Sequence, residues 1–445
     1  MIKKTIRALV IWLLTIEARL VLRRYQPRLV GVTGNIGKTS VKDAIYAVLA
    51  RALRAGPQGG LRVRRSAKSF NSEIGVPLSI LNQPNAWGRP LDWLRNLAAG
   101  LALVIFSHDY PDWLVLEIGA DRPGDIKKFV RWLKFDLVVL TSLPDLPVHI
   151  EFFSSVEAMV EEKLTLLEAA RRGGAVIING DNERLAAVKK KWSEKLNERS
   201  IRFLTYGFGL DNDLCVHHEH IYYDGDRPAG LTFKVDHLGR TVPFRLPGLV
   251  GRHQLYAPAA ALLVGAILNL NLVEMAEALI FYQPPPGRLR LLPGIKETLI
   301  LDDSYNASPA AVTEALATLK TLTAKGKKIV VLGDMMELGE KTIAAHRQAG
   351  IEAAGAADLI ITVGVRAKFI AAAAAEKGFK LENMRHFDEA SAVGGGLEHL
   401  LAPGDLVLVK GSQSMRMERV VEEIMAEPEK KGELLCRQEP EWQER

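Results

Sequence analysis

A glycine-rich segment near the start of the chain, GVTGNIGKTSVKD at residues 31–43, restricts the fold more than any other feature. It follows an apolar, strand-like run and leads into a helical pattern, which is the order of elements around a phosphate-binding loop. Gly34 and Gly37 allow the backbone to turn its N–H groups inward. Lys38 can reach the β- and γ-phosphates of a nucleotide, and Thr39 can offer its hydroxyl to Mg²⁺ at the positive end of a helix.

The loop departs from the strict G-x-x-x-x-G-K-[ST] pattern, because Val32 stands where that pattern has glycine. It matches the variant T-G-x-x-G-K-[TS]-[ST] instead. The strand before it and the helix after it favour a nucleotide site over a glycine-rich turn that happens to precede Lys-Thr. The predicted nucleotide-binding residues of the loop are Thr33, Gly34, Asn35, Gly37, Lys38, Thr39 and Ser40.

The cysteine content and the length narrow the class of protein. With 445 residues and 48% hydrophobic content, the chain can bury enough core for two or three domains. Cys215 and Cys436 are too few for a disulfide framework or a cysteine-based zinc site. We therefore expect a globular protein of a reducing compartment, with the cytoplasm as the default.

The positive charge is concentrated at one end. Residues 1–30 contain seven Lys and Arg against Glu17 alone, so this segment carries the whole net charge of +6. A nucleic-acid-binding surface spread over the protein is not predicted, because the rest of the chain is close to neutral. The nine residues 8–16, which are apolar apart from Thr15, are about half the length that spans a bilayer.

Two interpretations of this basic, apolar N-terminal helix remain open. It could lie on the anionic inner face of a membrane, with peripheral contact through residues 1–24. Alternatively, it could dock on the protein's own core through Trp12, Leu13 and Leu14.

Strand-like runs alternate with helical patterns along the rest of the chain, which predicts an α/β fold with parallel sheets. WLVLEIGA, FDLVVLTSL and GAVIINGD follow the phosphate loop, and TLILDDS, KIVVLGD, DLIITVG and DLVLVKGS follow the turn-rich QPPPGR. We predict an N-terminal helix at 1–29, a central ATP-binding domain at 30–285 and a Rossmann-like C-terminal domain at 286–445. An antiparallel insertion is expected at about 205–248.

Three further residues are candidates for chemistry. Glu117 ends the apolar run WLVLE, where a carboxylate beside a phosphate loop commonly binds Mg²⁺. A buried acid at that place would be costly unless it had a partner. His149 follows a predicted strand and Lys163 lies on a predicted helix, but neither residue would be convincing alone.

Ten motifs occur in an order that resembles the Mur ligase family over nearly the whole chain. They are GVTGNIGKTS, FNSEIGVPL, LEIGADRPGDI, the spacing from His149 to Lys163, INGDN, GRH, PGR, LDDSYNASP, LGDMMELG and LVKGS. The runs LDDSYNASP and LGDMMELG resemble the branch that adds D-alanyl-D-alanine to UDP-N-acetylmuramoyl-tripeptide.

The resemblance implies an ATP- and Mg²⁺-dependent ligase of peptidoglycan synthesis, and hence of cell wall biogenesis, cell shape and cell division. Such enzymes phosphorylate a muramoyl-peptide carboxylate, and D-Ala-D-Ala or another amine then attacks the acyl phosphate. The implied catalytic residues are Lys38, Glu117, His149, Lys163 and Arg288. The implied metal ligands are Thr39, Glu117, His149 and a carbamylated Lys163. Arg288 and Asp303 would contact ATP. The substrate candidates are Asn71, Ser72, Asn306, Glu337, Lys410 and Ser412, with Asn306, Glu337 and the run from Lys410 to Ser412 expected to face the cleft.

Two departures from the family pattern leave alternatives open. Gln254 and Ala257 replace the two asparagines of the family's G-x-H-N-x-x-N run, which puts the usual adenine contacts in doubt. The phosphate loop begins at residue 31, so the family's N-terminal domain for the UDP-sugar is expected to be missing. Alternatives are a ligase or amidating enzyme for a lipid-linked precursor, a folylpolyglutamate-type ligase, and a non-enzymatic, ATP-binding scaffold at a membrane.

Overall fold

Alternating strands and helices form two β-sheets in the computed structural model, which describes residues 2–55, 60–147 and 149–443. The prediction of an α/β fold with largely parallel sheets is confirmed. The first sheet has nine strands and holds the phosphate loop, and the second has six. The predicted domain limits at 29 and 285 stay predictions, with the first sheet ending at Pro247 and the second beginning at Arg290.

The first sheet has the order β2-β3-β1-β4-β5-β6-β7-β8-β9, and it is parallel from β2 to β7. The last three strands pair antiparallel, within the region where an antiparallel insertion was predicted. The strands are β1 (Arg28–Thr33), β2 (Val63–Arg65), β3 (Trp113–Glu117), β4 (Phe135–Leu140), β5 (Ala170–Asn179), β6 (Arg202–Gly207), β7 (Leu214–Asp224), β8 (Arg227–His237) and β9 (Arg240–Pro247).

Helices cover both faces of this sheet, so its central strands are apolar on both sides. Val30 and Val32 of β1 belong to one core and Leu29 to the other, as the two-residue period of a strand requires. The helices are α1 (Ile2–Tyr25), α2 (Lys38–Ala55), α3 (Gly75–Leu81), α4 (Pro90–Ile105), α5 (Asp125–Val130), α6 (Val156–Leu164), α7 (Glu183–Asn197), α8 (Tyr256–Ile267) and α9 (Leu272–Leu279).

The second sheet has the order β10-β11-β15-β12-β13-β14, with β10 as its single antiparallel strand. Its strands are β10 (Arg290–Pro293), β11 (Leu299–Asp303), β12 (Lys328–Gly333), β13 (Leu359–Val363), β14 (Met384–Phe387) and β15 (Leu406–Lys410). Its helices are α10 (Pro309–Thr321), α11 (Thr342–Ala354), α12 (Lys368–Glu376), α13 (Gly394–Leu400), α14 (Glu418–Ile424), α15 (Lys431–Leu434) and α16 (Pro440–Gln443).

The N-terminal helix α1 packs on the first sheet's helices α3 and α4. Leu14, Ala18 and Val21 are fully buried in the core on that face. Trp12, by contrast, is 59% exposed. Each interpretation therefore applies to one face of this helix. The face with Leu14, Ala18 and Val21 is docked on the core, and the face with Trp12 is exposed to solvent. Within the described residues, no helix has both the length and the apolarity to cross a membrane.

Substitutions on the two faces of α1 are expected to differ in effect. Leu14→Ala should lower the free energy of unfolding by about 2–5 kcal/mol, because it leaves a cavity in the core. Trp12→Ala should change it by no more than about 0.5 kcal/mol, because the indole is mostly in water. Urea unfolding followed by circular dichroism measures both. Equal losses for the two variants would show that α1 is not packed as described.

Glu17 is an acid on the packed side of α1. One of its carboxylate oxygens is buried, has no hydrogen-bond partner among the described residues and points to Gly100 of α4. Burial raises the pKa of Glu17 from 4.5 to about 7. The folded protein therefore binds this proton more tightly than the unfolded chain, and the stability contributed by Glu17 falls as pH rises from about 4.5 to 7.

Glu17→Gln should remove that loss. We expect the variant and the wild type to diverge in stability as pH rises from 5 to 8, with the variant gaining about 1–2 kcal/mol after allowance for solvent screening of a half-exposed group. Urea unfolding at a series of pH values gives the difference directly. Parallel pH profiles for the two proteins would contradict the assignment.

Candidate active site

The phosphate loop connects the end of β1 to the start of α2. Gly34 has φ +139°, and a Cβ at this position would lie 2.1 Å from the hydroxyl of Thr141, so the backbone leaves room only for glycine. Gly37 also has positive φ, at +83°. The two glycines of the predicted loop therefore occupy conformations that residues with a Cβ rarely adopt.

The segment after β4 holds the loop in place. The Asn35 N–H donates to the Ser142 carbonyl oxygen at 2.8 Å, and the Thr141 hydroxyl donates to the Ile36 carbonyl oxygen at 2.6 Å. These contacts follow from the register, since Thr33 lies opposite Leu140 in the β1–β4 pair. The Thr33 hydroxyl is buried and has no hydrogen-bond partner in the part of the chain that the structure describes.

Lys38 is the first residue of α2, and its ammonium group folds over the loop. Its Nζ donates to the carbonyl oxygens of Gly34 at 2.9 Å and Asn35 at 3.3 Å. Burial lowers the pKa of Lys38, while the charge of Glu117 opposes that shift. A cation at this place can act directly on a phosphate that the loop holds. Ser40, two residues on, lies close enough to the Tyr282 hydroxyl to lower its pKa, although burial raises that pKa overall.

Glu117 is buried beside the loop because Val32 of β1 is its partner in the β1–β3 register. One carboxylate oxygen accepts from the Thr39 hydroxyl at 3.0 Å, and the other accepts from the Asn71 side-chain amide at 2.8 Å. The buried acid thus has the partners that its burial requires. Ser69 also contacts the Thr39 hydroxyl, at 3.2 Å.

Lys163 of α6 is almost fully buried, at 2% exposure. Its Nζ donates to the Ala120 carbonyl oxygen at 2.9 Å, and no carboxylate within the described ranges forms an ion pair with it. Burial, with the nearby charge of Lys38, lowers the pKa of Lys163 to about 7. A substantial fraction of the amine is therefore neutral near pH 7, and a neutral amine is the form that reacts with CO₂.

His149 joins the two halves of the molecule. Its Nδ1 lies 2.6 Å from a carboxylate oxygen of Glu337, in ion-pair rather than hydrogen-bond geometry, and its Nε2 lies 3.6 Å from Asp121. Both His149 and Glu337 have positive φ, at +67° and +62°. Because Glu337 follows β12 of the second sheet, this contact brings the edges of the two sheets together.

A cleft of about 690 Å³ collects most of the predicted residues. The predicted residues that line it are Asn35, Gly37, Lys38, Thr39, Asn71, Glu117, His149, Lys163, Arg288, Asn306, Glu337 and Ser412. The Arg288 guanidinium lies 4.1 Å from the centroid of the Tyr305 ring. The catalytic residues implied by the family resemblance thus surround one space between the two sheets.

Six predicted residues are absent from the cleft lining: Thr33, Gly34, Ser40, Ser72, Asp303 and Lys410. Asp303 and Lys410 form a buried ion pair at 2.5 Å, and neither lines the cleft. Asp303 also accepts from the Leu289 N–H at 3.0 Å, and Lys410 donates to the Asn306 carbonyl oxygen at 3.0 Å. The expectation that Lys410 faces the cleft is therefore wrong, because its Nζ is directed at Asp303. A ribose contact for Asp303 stays a prediction.

Gln254 stabilises the backbone near the cleft through hydrogen bonds of its side chain. Its side-chain oxygen accepts from the N–H groups of Val250 and Gly251, both at 2.9 Å, and its amide donates to the Leu289 carbonyl oxygen at 3.1 Å. It therefore ties the start of α8 to the connection between the sheets. Ala257 is buried in the core on that side of the first sheet.

Sequence reasoning missed several residues of the cleft. Tyr305 and Ser69, joined by a 3.1 Å hydrogen bond between the two sheets, lie within or next to the motifs LDDSYNASP and FNSEIGVPL. Their position in those motifs was a signal that could have found them. Arg416 and Trp442 also line the cleft, and no motif marks them.

A second cavity, of about 1360 Å³, opens beside the cleft. The two share Thr39, Ser69, Arg288 and Tyr305 in their linings. Ser72 lines only the larger cavity. Basic side chains outnumber acids in its wall; these are Arg51, Arg65, Lys68, Arg288, Arg290 and Arg437 against Asp43, Glu433 and Glu439. The larger cavity is therefore suited to an anionic molecule.

The donor set around the loop fits Mg²⁺. Thr39 and Glu117 offer a hydroxyl and a carboxylate within 3.0 Å of each other, and Mg²⁺ prefers oxygen ligands that it shares with substrate phosphates. In the part of the chain that the structure describes, no three His, Cys, Asp or Glu side chains are arranged to hold a metal.

Comparisons with known proteins agree with this geometry. The family model for the Mur ligase middle domain matches residues 94–265, and that for the Mur ligase, glutamate ligase domain matches residues 287–413. The chain belongs to the Mur ligase family. Between them the two models cover about two thirds of it.

Individual Mur ligases cover most of the chain. The UDP-N-acetylmuramoyl-tripeptide–D-alanyl-D-alanine ligase of Bacillus subtilis is 28% identical over 412 residues, which are 92% of this chain and 79% of that protein. The crystal structure of the MurF ligase of Thermotoga maritima in complex with ADP is 26% identical, with a TM-score of 0.72, over 95% of this chain and 84% of that one. A folylpolyglutamate synthase of Mycobacterium tuberculosis, 16% identical with a TM-score of 0.61, covers 90% of this chain and 93% of that one and shares the fold.

Proposed function

We propose that this Mur ligase joins the carboxylate of a muramoyl-peptide precursor to the amine of D-alanyl-D-alanine, with ATP as the second substrate. The observation that carries the proposal is the assembly of Lys38, Glu117, Lys163 and Arg288 around one cleft at the phosphate loop. The names of the Bacillus subtilis relative and of the Thermotoga maritima structure support the choice of substrates.

The reaction divides into two steps. The substrate carboxylate attacks the γ-phosphorus of ATP, which releases ADP and leaves an acyl phosphate. The amine then attacks the acyl carbon, loses a proton and expels phosphate to form the amide. Lys38 would stabilise the charge that develops on the transferring phosphoryl group, and the position of its ammonium over the loop supports this role.

Thr39 and Glu117 would hold one Mg²⁺, and His149 would help to hold a second. The metal would neutralise phosphate charge and orient the transferring group. Asn71 fixes the Glu117 carboxylate through its 2.8 Å hydrogen bond, so that the oxygen directed at Thr39 keeps its position.

Carbamylation of Lys163 is part of the proposal. The reaction of its neutral amine with CO₂ forms an N–C bond and releases a proton, which leaves a carbamate anion in place of a cation. The buried Nζ has a backbone carbonyl, and no carboxylate, as its partner among the described residues. The carbamate would add a negative ligand on the Lys163 side of the cleft, beside the carboxylate of Asp121.

Contacts between the two sheets would close the cleft around the substrates. His149 meets Glu337, and Tyr305 donates to Ser69, so both contacts join the two halves across the cleft. Arg288 lies where the connection enters the second sheet and lines both cavities. Closure would place its guanidinium beside the phosphates and exclude water from the acyl phosphate.

An acceptor screen tests the proposal. The protein is supplied with ATP, Mg²⁺ and one acid, which is UDP-linked muramoyl-tripeptide, lipid-linked muramoyl-tripeptide or a folate. ADP release is measured with D-Ala-D-Ala, single amino acids or ammonia. We expect release that depends on D-Ala-D-Ala. Release only with ammonia and a lipid-linked acid would indicate an amidating enzyme, and release only with glutamate and a folate would indicate a folylpolyglutamate-type ligase. No release with any pair would leave an ATP-binding scaffold; each of these three results overturns the proposal.

A further inference from the structure

The outer faces of α1 and α4 carry an unusual density of exposed apolar side chains. Nine of the twenty large hydrophobic residues that are exposed in the described structure lie in these two helices or directly after α4. They are Ile6, Leu9, Trp12 and Leu20 on α1, and Leu91, Leu94, Leu101, Ile105 and Phe106 on or next to α4. We call these nine residues the apolar face.

The spacing on α4 shows that its exposure is organised. Leu91, Leu94, Leu101 and Ile105 are 78%, 63%, 49% and 57% exposed, and Ala98 completes the stripe. Steps of three and four residues place all five on one side of a helix. The opposite side of α4 packs inward, with Asn96 and Gly100 buried. An amphipathic helix normally has one apolar side, which packs on the core. Helix α4 has a second apolar side, which is exposed to solvent, and such an exposed side is typical of an interaction surface.

The two helices are held together along their length. Gly100 of α4 lies against Glu17 of α1, and the Arg24 guanidinium donates to the Val104 carbonyl oxygen at 2.9 Å. The Tyr25 hydroxyl donates to the Leu103 carbonyl oxygen at 3.0 Å. The exposed stripe of α4 is therefore fixed beside α1 and cannot turn inward without breaking these contacts.

The exposed charges around the apolar face are mainly basic, with Asp92 of α4 and Asp109 after it as acids at its edge. Arg7, Arg19, Arg23 and Arg24 are all exposed on α1, and Arg95 is exposed on α4. The acid of α1, Glu17, is turned toward Gly100 and away from this solvent face. Arginine stems lie readily along an apolar boundary while their guanidinium groups stay with phosphates.

We propose that α1 and α4 together form a docking surface for an anionic lipid bilayer, with the apolar face entering the headgroup region and the arginines on lipid phosphates. Apolar insertion and electrostatic attraction are the two terms that drive interfacial binding, and both occur on this surface. The charge favours a lipid surface over a protein partner. The whole net charge of the chain lies in residues 1–30, and a protein partner of ordinary composition would not require such a concentration of positive charge. The structure shows that the surface is not formed by the N-terminal segment alone. Helix α4, which has no net charge and lies 65 or more residues away in the sequence, forms the other part of it.

Co-sedimentation of the full-length protein with vesicles tests the surface. Vesicles of phosphatidylcholine and phosphatidylglycerol are compared with pure phosphatidylcholine, at low and at high salt. We expect binding to the anionic vesicles that weakens at high salt. Arg19→Gln with Arg23→Gln should reduce it by about 30-fold, and Leu94→Gln with Leu101→Gln by about tenfold. The matched control, Leu210→Gln with Leu238→Gln, removes two leucines that are 87% exposed elsewhere and should not change binding.

Three results would overturn the proposal. The first is no binding of wild type to anionic vesicles at low salt, and the second is equal binding of the α4 variant and its control. The third is a wild-type dimer, seen by light scattering, that the α4 variant dissociates, because a second copy would then cover the apolar face. ADP release by these variants is measured in detergent-free solution with a UDP-linked acid. It should be unchanged, because the apolar face lies outside the cleft, so a failure of membrane binding can be told apart from a failure of the ligase activity.

Discussion

Lys38→Ala is expected to lower turnover by about 10²–10³-fold while the protein keeps its fold. The Lys38 ammonium lies over the phosphate loop, and its hydrogen bonds within the described residues go to carbonyl oxygens of Gly34 and Asn35, so its loss removes no core packing. The charge matters most when negative charge moves between phosphate and carboxylate, which is a property of the transition state. Steady-state ADP release and thermal unfolding measure the two effects separately.

Lys42, one turn later on α2, supplies a matched comparison. Its buried Nζ donates to the carbonyl oxygens of Ser66 and Lys68 and pairs with Asp43 at 3.2 Å. Lys42→Ala leaves these acceptors without their donor and should cost about 1–3 kcal/mol of stability. A catalytic role for Lys38 would be rejected if Lys38→Ala lost as much thermal stability as Lys42→Ala.

Lys163→Ala is expected to be similarly inactive, and short carboxylic acids such as acetate or propionate should restore part of its activity. The substitution removes the group that carries the carbamate but leaves a space in which a carboxylate can replace it. Binding of ATP should persist, because Lys163 lies on α6 and not on the phosphate loop. Turnover measured against the concentration of added acid gives the rescue directly.

Exposed Lys191 provides the control for this experiment. Lys191→Ala removes a lysine whose partner is Glu161 on the surface, so its activity should be unchanged and insensitive to added acid. An unmodified Lys163 amine, seen away from metal in crystals grown with bicarbonate and active protein, would exclude the carbamate. Absence of rescue by every acid, with intact ATP binding, would count against it as well.

Residues that lie close together in the chain were the most predictable part of the site. The phosphate loop was recognisable because its glycines, lysine and threonine act within one turn of backbone, where spacing alone determines geometry. Glu117 was predictable for a related reason. The carboxyl ends of neighbouring parallel strands meet at one edge of a sheet, so a polar residue that ends an apolar strand lies near the loop.

Residues whose roles depend on distant partners were less predictable. Asp303 and Lys410 are 107 positions apart, and nothing local indicates that they form an ion pair instead of both facing a ligand. Gln254 stands where the family has asparagine, but only the folded chain shows its amide bonded to the backbone of residue 289. Trp442 reaches the cleft from the far end of the chain, without any motif to mark it.

The amino-acid sequence by itself determined the α/β class, the phosphate loop, the family and the concentration of basic charge before β1. These depend on periodicity, on short motifs and on residue counts, which are all properties of the chain read in order. Only the tertiary structure decided which face of α1 is core, that an exposed apolar stripe of α4 lies beside it, and that His149 meets Glu337 across the cleft. Those contacts join segments that are remote in the chain, and their energies depend on burial and on packing geometry that only the folded chain establishes.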